Sequence, residues 1–222
     1  MIRSFSLQQP SAGSFTATDV AERDSALVVV QPSVLSTVDH AVGNLFQRVY
    51  HLIRTARNGN HETLAVLEES VHELQALLEL FVDYVAPTVI QSRPLPAADL
   101  LLSCRRHLEE EIGSGRIDLR SAELAGVSVA ADPARMARVF DLLSRALRRA
   151  VGPTGLRACA AVSGDGVYFE ITFERLAARG DANDEVRRAL AQKLIDLQGG
   201  ELRECVAPDG VQWTVRVPVS GG

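Results

Sequence analysis

The chain has 222 residues, 46% of them hydrophobic and only 5% aromatic, and a formal net charge of −5 at pH 7. Its length fits one large domain or two small ones with substantial cores. The acidic balance argues against a surface built mainly to neutralise nucleic-acid phosphates. No apolar run approaches the ~20 residues that span a bilayer, and the N-terminus lacks a basic segment followed by an apolar one. We therefore expect a soluble cytoplasmic protein that binds neither nucleic acid nor membranes.

The first regular pattern runs from Pro32 to Ala56, after an arm, residues 1–32, that has no clear period and is interpreted as flexible. Apolar residues recur here at alternating steps of three and four, which predicts a helix that packs against other helices. With an advance of about 100° per residue, His40 lies almost opposite the apolar seam. The other polar residues of this outward face are Asn44, Gln47 and His51. His40 is therefore expected to meet solvent or a partner.

A second heptad series follows the turn signal of residues 57–60 and ends at Ala86-Pro87. The apolar positions of this series are Leu64, Leu67, Val71, Leu74, Leu78, Phe81 and Val85. Two long helices joined by so short a turn predict an antiparallel hairpin over residues 33–91. A hairpin alone leaves half of each seam exposed, so we expect a homodimer that forms a four-helix bundle. The alternative is that the hairpin packs against the rest of its own chain.

Residues 92–96 include two prolines and are interpreted as a linker, which places a domain boundary at residue 92. Beyond it the patterns predict helices over 97–112, 132–151 and 184–198, and strands over 117–120, 127–130, 156–163, 167–174, 201–206 and 211–219. Gly199-Gly200 should end the last helix. The widely spaced Cys104, Cys159 and Cys205 are expected to be reduced and buried. This order predicts an α+β fold whose mixed sheet carries its helices on one face.

Three local sequences resemble bacterial histidine kinases. The run Asp132-Pro133-Ala134-Arg135-Met136 is similar to the opening of the family's nucleotide-binding helix, and Gln198-Gly199-Gly200 is similar to the end of its late helix. His40, with Asn44 four residues later, resembles the family's phosphoacceptor box. The resemblance covers about residues 33–219 and implies a dimeric helical hairpin followed by an ATPase-like α/β sandwich over residues 92–222.

The residues on which the family's ATP chemistry depends are missing from this chain. Residues 132–150 contain no Asn, and Arg145 or Ala146 stands where the family has the Asn that contacts magnesium and phosphates. Residues 174–180 hold a single glycine and residues 184–191 hold none, so both glycine-rich boxes are absent. Because phosphoryl transfer from ATP depends on these parts, we expect a degenerate domain that no longer binds ATP.

In plan the chain resembles the histidine phosphotransferases of bacterial sporulation and cell-cycle phosphorelays. By that resemblance His40 is the phosphoacceptor and Asn44 helps to orient the ring or the incoming phosphate. The partners are response-regulator receiver domains, which supply Mg²⁺ themselves, so the chain needs no cofactor of its own. Ala41 stands where the kinases usually carry an acid that assists attack on ATP, and His51 is a rival acceptor.

Two functions stay open at this point. The first is a homodimeric phosphotransferase that relays phosphoryl groups between receiver domains without using ATP. The second is a non-catalytic scaffold or inhibitor that binds a receiver domain or a histidine kinase. An ATP-dependent kinase is disfavoured.

Overall fold

The protein is described from a computed structural model that covers residues 31–56, 62–122, 124–148, 155–163, 168–175, 182–207 and 210–220. Residues 1–30 of the predicted N-terminal arm and the turns predicted at 57–60 and 164–166 lie outside these residues, and Pro32, the last residue of the predicted arm, belongs to the first helix.

Five α-helices are present in the described part of the chain, and all five were predicted. They are α1 (Pro32–Ala56), α2 (Glu62–Val85), α3 (Ala97–Ile112), α4 (Pro133–Arg148) and α5 (Ala182–Asp196). Helices α1 and α2 pack against each other as the predicted hairpin. None of the described helices combines the length and apolarity that a membrane-spanning segment needs.

Seven strands form two sheets within the described residues. They are β1 (Arg93–Pro96), β2 (Ile117–Ser121), β3 (Ser128–Ala131), β4 (Leu156–Val162), β5 (Tyr168–Arg175), β6 (Glu201–Ala207) and β7 (Gly210–Pro218). The larger sheet has the order β2-β4-β5-β7-β6, with β2 and β4 parallel and its other pairs antiparallel. The larger sheet is therefore mixed, as predicted. Strands β1 and β3 form a separate two-stranded sheet.

The prediction of a linker over residues 92–96 was wrong in one respect, because Arg93–Pro96 forms strand β1. Proline cannot donate a ladder hydrogen bond, and it is therefore confined to edge strands and strand starts. Strand β1 pairs on one side only, with β3, so Pro94 and Pro96 are accommodated there.

The larger sheet has one buried face and one open face. Along β4 the side chains alternate between buried and exposed, with Leu156 and Ala158 buried and Arg157 and Cys159 exposed. The prediction of buried cysteines therefore holds only for Cys104, because Cys159 and Cys205 are exposed. Burial raises the pKa of the Cys104 thiol well above its ordinary value.

The two kinase-like segments of the second half meet in space around Asp132. Its Oδ1 accepts hydrogen bonds from the amides of Ala134 and Arg135, at 3.0 and 3.1 Å, and thereby caps α4. Its Oδ2 accepts from the amide of Gln91 at 2.8 Å. The Asp132 amide donates to Oε1 of Gln198, just beyond α5, at 2.8 Å. One buried aspartate therefore joins the segment before β1, the start of α4 and the end of α5.

Gly199 and Gly200 come directly after Gln198, and each position requires a glycine for a different reason. Gly199 adopts a φ of +72°, the left-handed conformation that ends many helices. At Gly200 a Cβ atom would overlap the Arg216 carbonyl oxygen of β7 and would lie 2.8 Å from Cγ2 of Ile195. The predicted glycine end of α5 is confirmed, and Gly200 also permits the close approach of α5 to the sheet.

We predict that Asp132→Asn lowers the free energy of unfolding at neutral pH by about 1–3 kcal/mol, because the amide nitrogen of Asn cannot accept the hydrogen bond from Gln91. Burial disfavours the charge on Asp132, but its hydrogen bonds from Gln91, Arg135 and Ala134 and the nearby Arg135 charge outweigh burial and lower its pKa. Because the pKa of Asp132 is lower in the folded state than in the unfolded chain, its charge stabilises the fold at pH values above the ordinary pKa of an aspartate. This stability is lost as the pH falls through the folded-state pKa. Urea unfolding as a function of pH measures both effects.

The matched control is Asp118→Asn on β2, where the carboxylate is exposed and pairs with Arg120. Exposed ion pairs contribute little, so this change should have a small effect at any pH. Equal losses from the two substitutions, or a difference between wild type and Asp132→Asn that does not shrink in acid, would contradict the role given to Asp132.

Candidate functional site

The candidate site is the exposed face of α1 formed by His40, Asn44, Gln47 and His51, which we name the His40 face. All four side chains are exposed. Val34 and Val38, from the apolar side of the same helix, are each only 7% exposed. The heptad pattern thus predicted correctly that His40 is exposed, although Leu35, Phe46 and Tyr50 of the same helix are exposed as well.

The side chains of His40 and Asn44 have no hydrogen-bond or ion-pair partner within the described part of the chain. Residues four apart on a helix have neighbouring Cβ atoms, so the Asn44 amide is within reach of the imidazole or of a group bound to it. His51 lies about three turns further along the same face. The structure therefore presents one exposed imidazole beside an amide and a second imidazole farther away.

Helix α5 lies beside the start of this face. One turn before His40, Thr37 Oγ1 donates a hydrogen bond to Oε2 of Glu185 at 2.8 Å. Apolar contacts continue beneath it, because Val34 and Val38 belong to the same core as Val186 of α5. Sequence reasoning placed α5 in a separate domain and did not predict this contact.

Lys193 of α5 binds the other helix of the hairpin. Its Nζ donates hydrogen bonds to the carbonyl oxygens of Tyr84 and Ala86, at 2.6 and 2.8 Å, and lies 5.8 Å from the centre of the Tyr84 ring. The carbonyls at the end of a helix have no intrahelical partners, so a lysine there completes the end of α2. Burial lowers the pKa of Lys193.

A second polar contact attaches α2 to the sheet-bearing half of the chain. Arg138 of α4 donates to Asp83 at 2.9 Å and to Asp141 at 2.7 Å. Together with Lys193 and Thr37, it fixes the hairpin against both α4 and α5. No local sequence signal indicates these pairs, since each joins residues at least 55 positions apart except Arg138–Asp141.

The hairpin is covered by its own chain over only part of its surface. Leu77 and Tyr84 of α2 are 1% and 3% exposed, in the shared core with α5. Large apolar side chains elsewhere on the hairpin remain exposed. On α1 these are Leu35, Phe46, Tyr50 and Ile53, and on α2 they are Leu64, Val66, Val71, Leu78 and Val82. The alternative that the hairpin packs against its own chain is therefore correct for the part of the hairpin that contacts α5. The rest of its apolar surface stays exposed.

Two residues of α4 could stand where the kinases have the magnesium-binding Asn, depending on the register. Arg145 is ion-paired, and Ala146 is in the core. Arg145 Nε lies 2.7 Å from Oδ1 of Asp141 and 3.4 Å from Oε1 of Glu111, and its hydrogen bond to Asp141 raises its pKa. Ala146 is buried. A guanidinium already paired with carboxylates cannot act as a metal ligand, and neither can an alanine, so these residues do not fit the magnesium–nucleotide group. In the described ranges no group of three or more His, Cys, Asp or Glu residues could hold a metal ion.

Comparison with known proteins identifies the fold. No protein-family model and no curated protein sequence matches the chain. It is similar to the histidine kinase AdeS of Acinetobacter baumannii, with a TM-score of 0.60 and 12% identity over 82% of this chain and 98% of that one. It is also similar to the histidine kinase ThkA, solved in complex with the response regulator TrrA, with a TM-score of 0.65 and 16% identity over 91% of this chain and 66% of ThkA. The predicted histidine-kinase-like fold is therefore confirmed, and identities this low show the fold alone.

We predict that Lys193→Met lowers the free energy of unfolding by about 1–3 kcal/mol, because two carbonyls at the end of α2 lose a charged donor. Urea unfolding measures the total decrease in the free energy of unfolding. Amide hydrogen exchange should show that the faster exchange is concentrated where α2 meets α5. Arg188→Met is the control on the same helix, since Arg188 forms only a partly exposed pair with Glu204 at 3.4 Å. Equal effects from the two substitutions would argue against Lys193 as the attachment point.

Proposed function

We propose that this protein is a histidine phosphotransferase of a two-component phosphorelay, in which His40 carries the phosphoryl group between receiver domains. The observation that carries the proposal is His40 itself, exposed on a hairpin helix of a chain that folds like a histidine kinase. Residues 33–91 would accept the phosphate, and residues 92–222 would hold the hairpin through α5 and α4. We place this activity in the cytoplasm.

The chemistry needs little from the chain beyond an accessible imidazole. The unprotonated ring nitrogen of His40 attacks the phosphorus of an aspartyl phosphate, so the N–P bond forms as the P–O bond to aspartate breaks and the aspartate carboxylate leaves. A second receiver aspartate reverses the step. The Asn44 amide, one turn along α1, would orient the ring or the phosphoryl oxygens. The receiver provides Mg²⁺ and the acidic pocket.

Receiver domains are favoured as partners by two observations. ThkA, which shares the fold, was solved with a response regulator bound. The His40 face also offers exposed polar side chains with α5 beside them, and Thr37–Glu185 joins the two. A partner docked at His40 would therefore contact α1 and have α5 within reach.

The chemistry of α4 supports a relay that does not use ATP. Arg145 is paired with Asp141 and Glu111, and Ala146 is in the core, so neither residue supplies the oxygen ligand that Mg²⁺ requires. The sequence also lacks the glycines with which the kinase family approaches the nucleotide. Magnesium-dependent ATP binding by the purified protein would contradict this part of the proposal.

We further propose that the protein is a homodimer in which two hairpins form a four-helix bundle. Phe46 is 58% exposed and Ile53 is 39% exposed on α1, while Val82 is 61% exposed on α2. Val71, Leu78 and Val82 follow one another at steps of seven and four, so they form one apolar stripe along α2. Such stripes are typical of surfaces that a second helical hairpin covers.

We predict that a phosphorylated receiver domain transfers acid-labile phosphate to the wild-type protein and not to His40→Ala. Acid lability with stability in base identifies a phosphoramidate, the bond formed on histidine. His51→Ala, the matched control on the same face, should be labelled like the wild type. Asn44→Ala should be labelled at least about tenfold more slowly, because positioning of the reacting group is lost.

Three outcomes would overturn this assignment. Label on His40→Ala but not on His51→Ala would make His51 the acceptor. Label on both single variants would point to another residue. Absence of label from every protein, while a receiver still binds the wild type, would favour the non-catalytic scaffold.

The dimer is tested by placing charges on the α2 stripe. Leu78→Glu with Val82→Glu should convert the protein from a dimer to a monomer, because carboxylates would be buried in the bundle. Light scattering should then fall from twice the chain mass to the chain mass of 24.0 kDa. Val89→Glu is the control, since Val89 is 74% exposed and lies beyond Val85, where α2 ends. A monomeric wild type, or a double variant that remains dimeric, would refute the bundle.

A further inference from the structure

Gly43 lies in the interior of α1, one turn after His40. It is exposed, its φ is not positive, and a Cβ atom built on it would meet nothing within 4 Å. Glycine destabilises the interior of a helix relative to alanine, because it loses more conformational freedom on folding. Neither the backbone conformation nor packing within the described part of the chain requires a glycine here. Gly43 therefore destabilises α1 relative to alanine, and the described residues give no structural reason for it.

The position of Gly43 relative to His40 gives it a consequence for access. Side chains on a helix lean toward its N-terminus and cover the surface three to four residues before their own Cα. The two residues whose side chains would lean over His40 are therefore 43 and 44. Residue 44 is an asparagine, whereas Gly43 has no side chain. A side chain therefore leans toward His40 from position 44, and none does from position 43.

Helix α5 approaches α1 one turn before His40, on the side away from Gly43. At about 100° per residue, Thr37 lies about 60° from His40 in one direction, and Gly43 lies about 60° away in the other. The hydrogen bond from Thr37 to Glu185 brings the start of α5 to the Thr37 side. Within the described part of the chain, a neighbouring helix on one side and a missing side chain on the other leave the Gly43 flank as the more open side.

We propose that the Gly43 flank is the side from which a receiver domain reaches His40. In-line transfer requires the aspartyl phosphate to come within bonding reach of the ring nitrogen, so the rim of the receiver must approach the surface of α1 closely. A bare helix backbone beside the acceptor permits that approach. Gly43 is a positioning residue in this account, and the inference rests on the proposed function.

The test is Gly43→Leu, with Ser33→Leu as its control. Ser33 is exposed and lies on α1 about two turns before His40. A leucine at 33 leans toward the start of α1 and away from His40, whereas a leucine at 43 leans toward His40. Calorimetry with a receiver domain that binds the wild type, and the initial rate of phosphate transfer from that receiver, provide two readouts. Gly43→Leu should reduce binding and transfer at least about tenfold, while Ser33→Leu should stay within about twofold of the wild type.

Two further measurements separate access from damage to the site. Phosphoramidate, a small donor that needs no docking surface, should still label His40 in Gly43→Leu. Gly43→Ala should raise the melting temperature, because alanine is the better helix former. A positioning role predicts this split between the small donor and the receiver, and a disrupted helix does not.

Equal transfer to the wild type and Gly43→Leu, or an equal loss in Ser33→Leu, would overturn the inference. If the wild type binds a receiver but accepts no phosphate, the proposed function fails, and the calorimetric comparison alone decides the docking side. If no receiver binds the wild type, both proposals are wrong.

Discussion

Burial of α5 is the constraint on which the arrangement of this protein depends. Val186, Leu190, Leu194, Ala191 and Ile195 are all buried and extend around about half of the helix circumference, wider than the stripe of a helix that lies on a surface. One side of α5 contacts the hairpin, and the others contact α4 and the sheet. The helix is therefore part of both halves of the chain, and the placement of His40 relative to the sheet follows from it.

The His40 face is supported by contacts within the chain itself. Helices α5 and α4 attach the hairpin through Lys193, Arg138 and Glu185, and Asp132 caps α4. Arg145 lies next to these contacts, because it binds the same carboxylate, Asp141, as Arg138 does. The side chain at position 145 is therefore part of the ion-pair network that joins α4 to the hairpin.

Local patterns predicted the helices well because each has a heptad or amphipathic repeat and a Pro or Gly at its end. They missed β1, because prolines at 94 and 96 indicate a linker unless the pairing with β3 is known. They also misjudged Cys159, whose exposure depends on which face of the sheet the helices cover. The packing of α5 on the hairpin joins residues more than a hundred positions apart, as in Lys193–Tyr84, and no local period records it. The exposure of His40 and its neighbour Asn44 were predictable, but the approach of α5 to α1 at Thr37 was not.

The most direct test of the account is a complete relay reconstituted without ATP. A receiver domain carrying labelled aspartyl phosphate is mixed with a second receiver, in the presence of the wild-type protein or of His40→Ala. The account predicts that label reaches the second receiver only with the wild type and passes through an acid-labile phosphate on it. Equal transfer with His40→Ala, or label that never leaves the wild-type protein for a receiver, would contradict it.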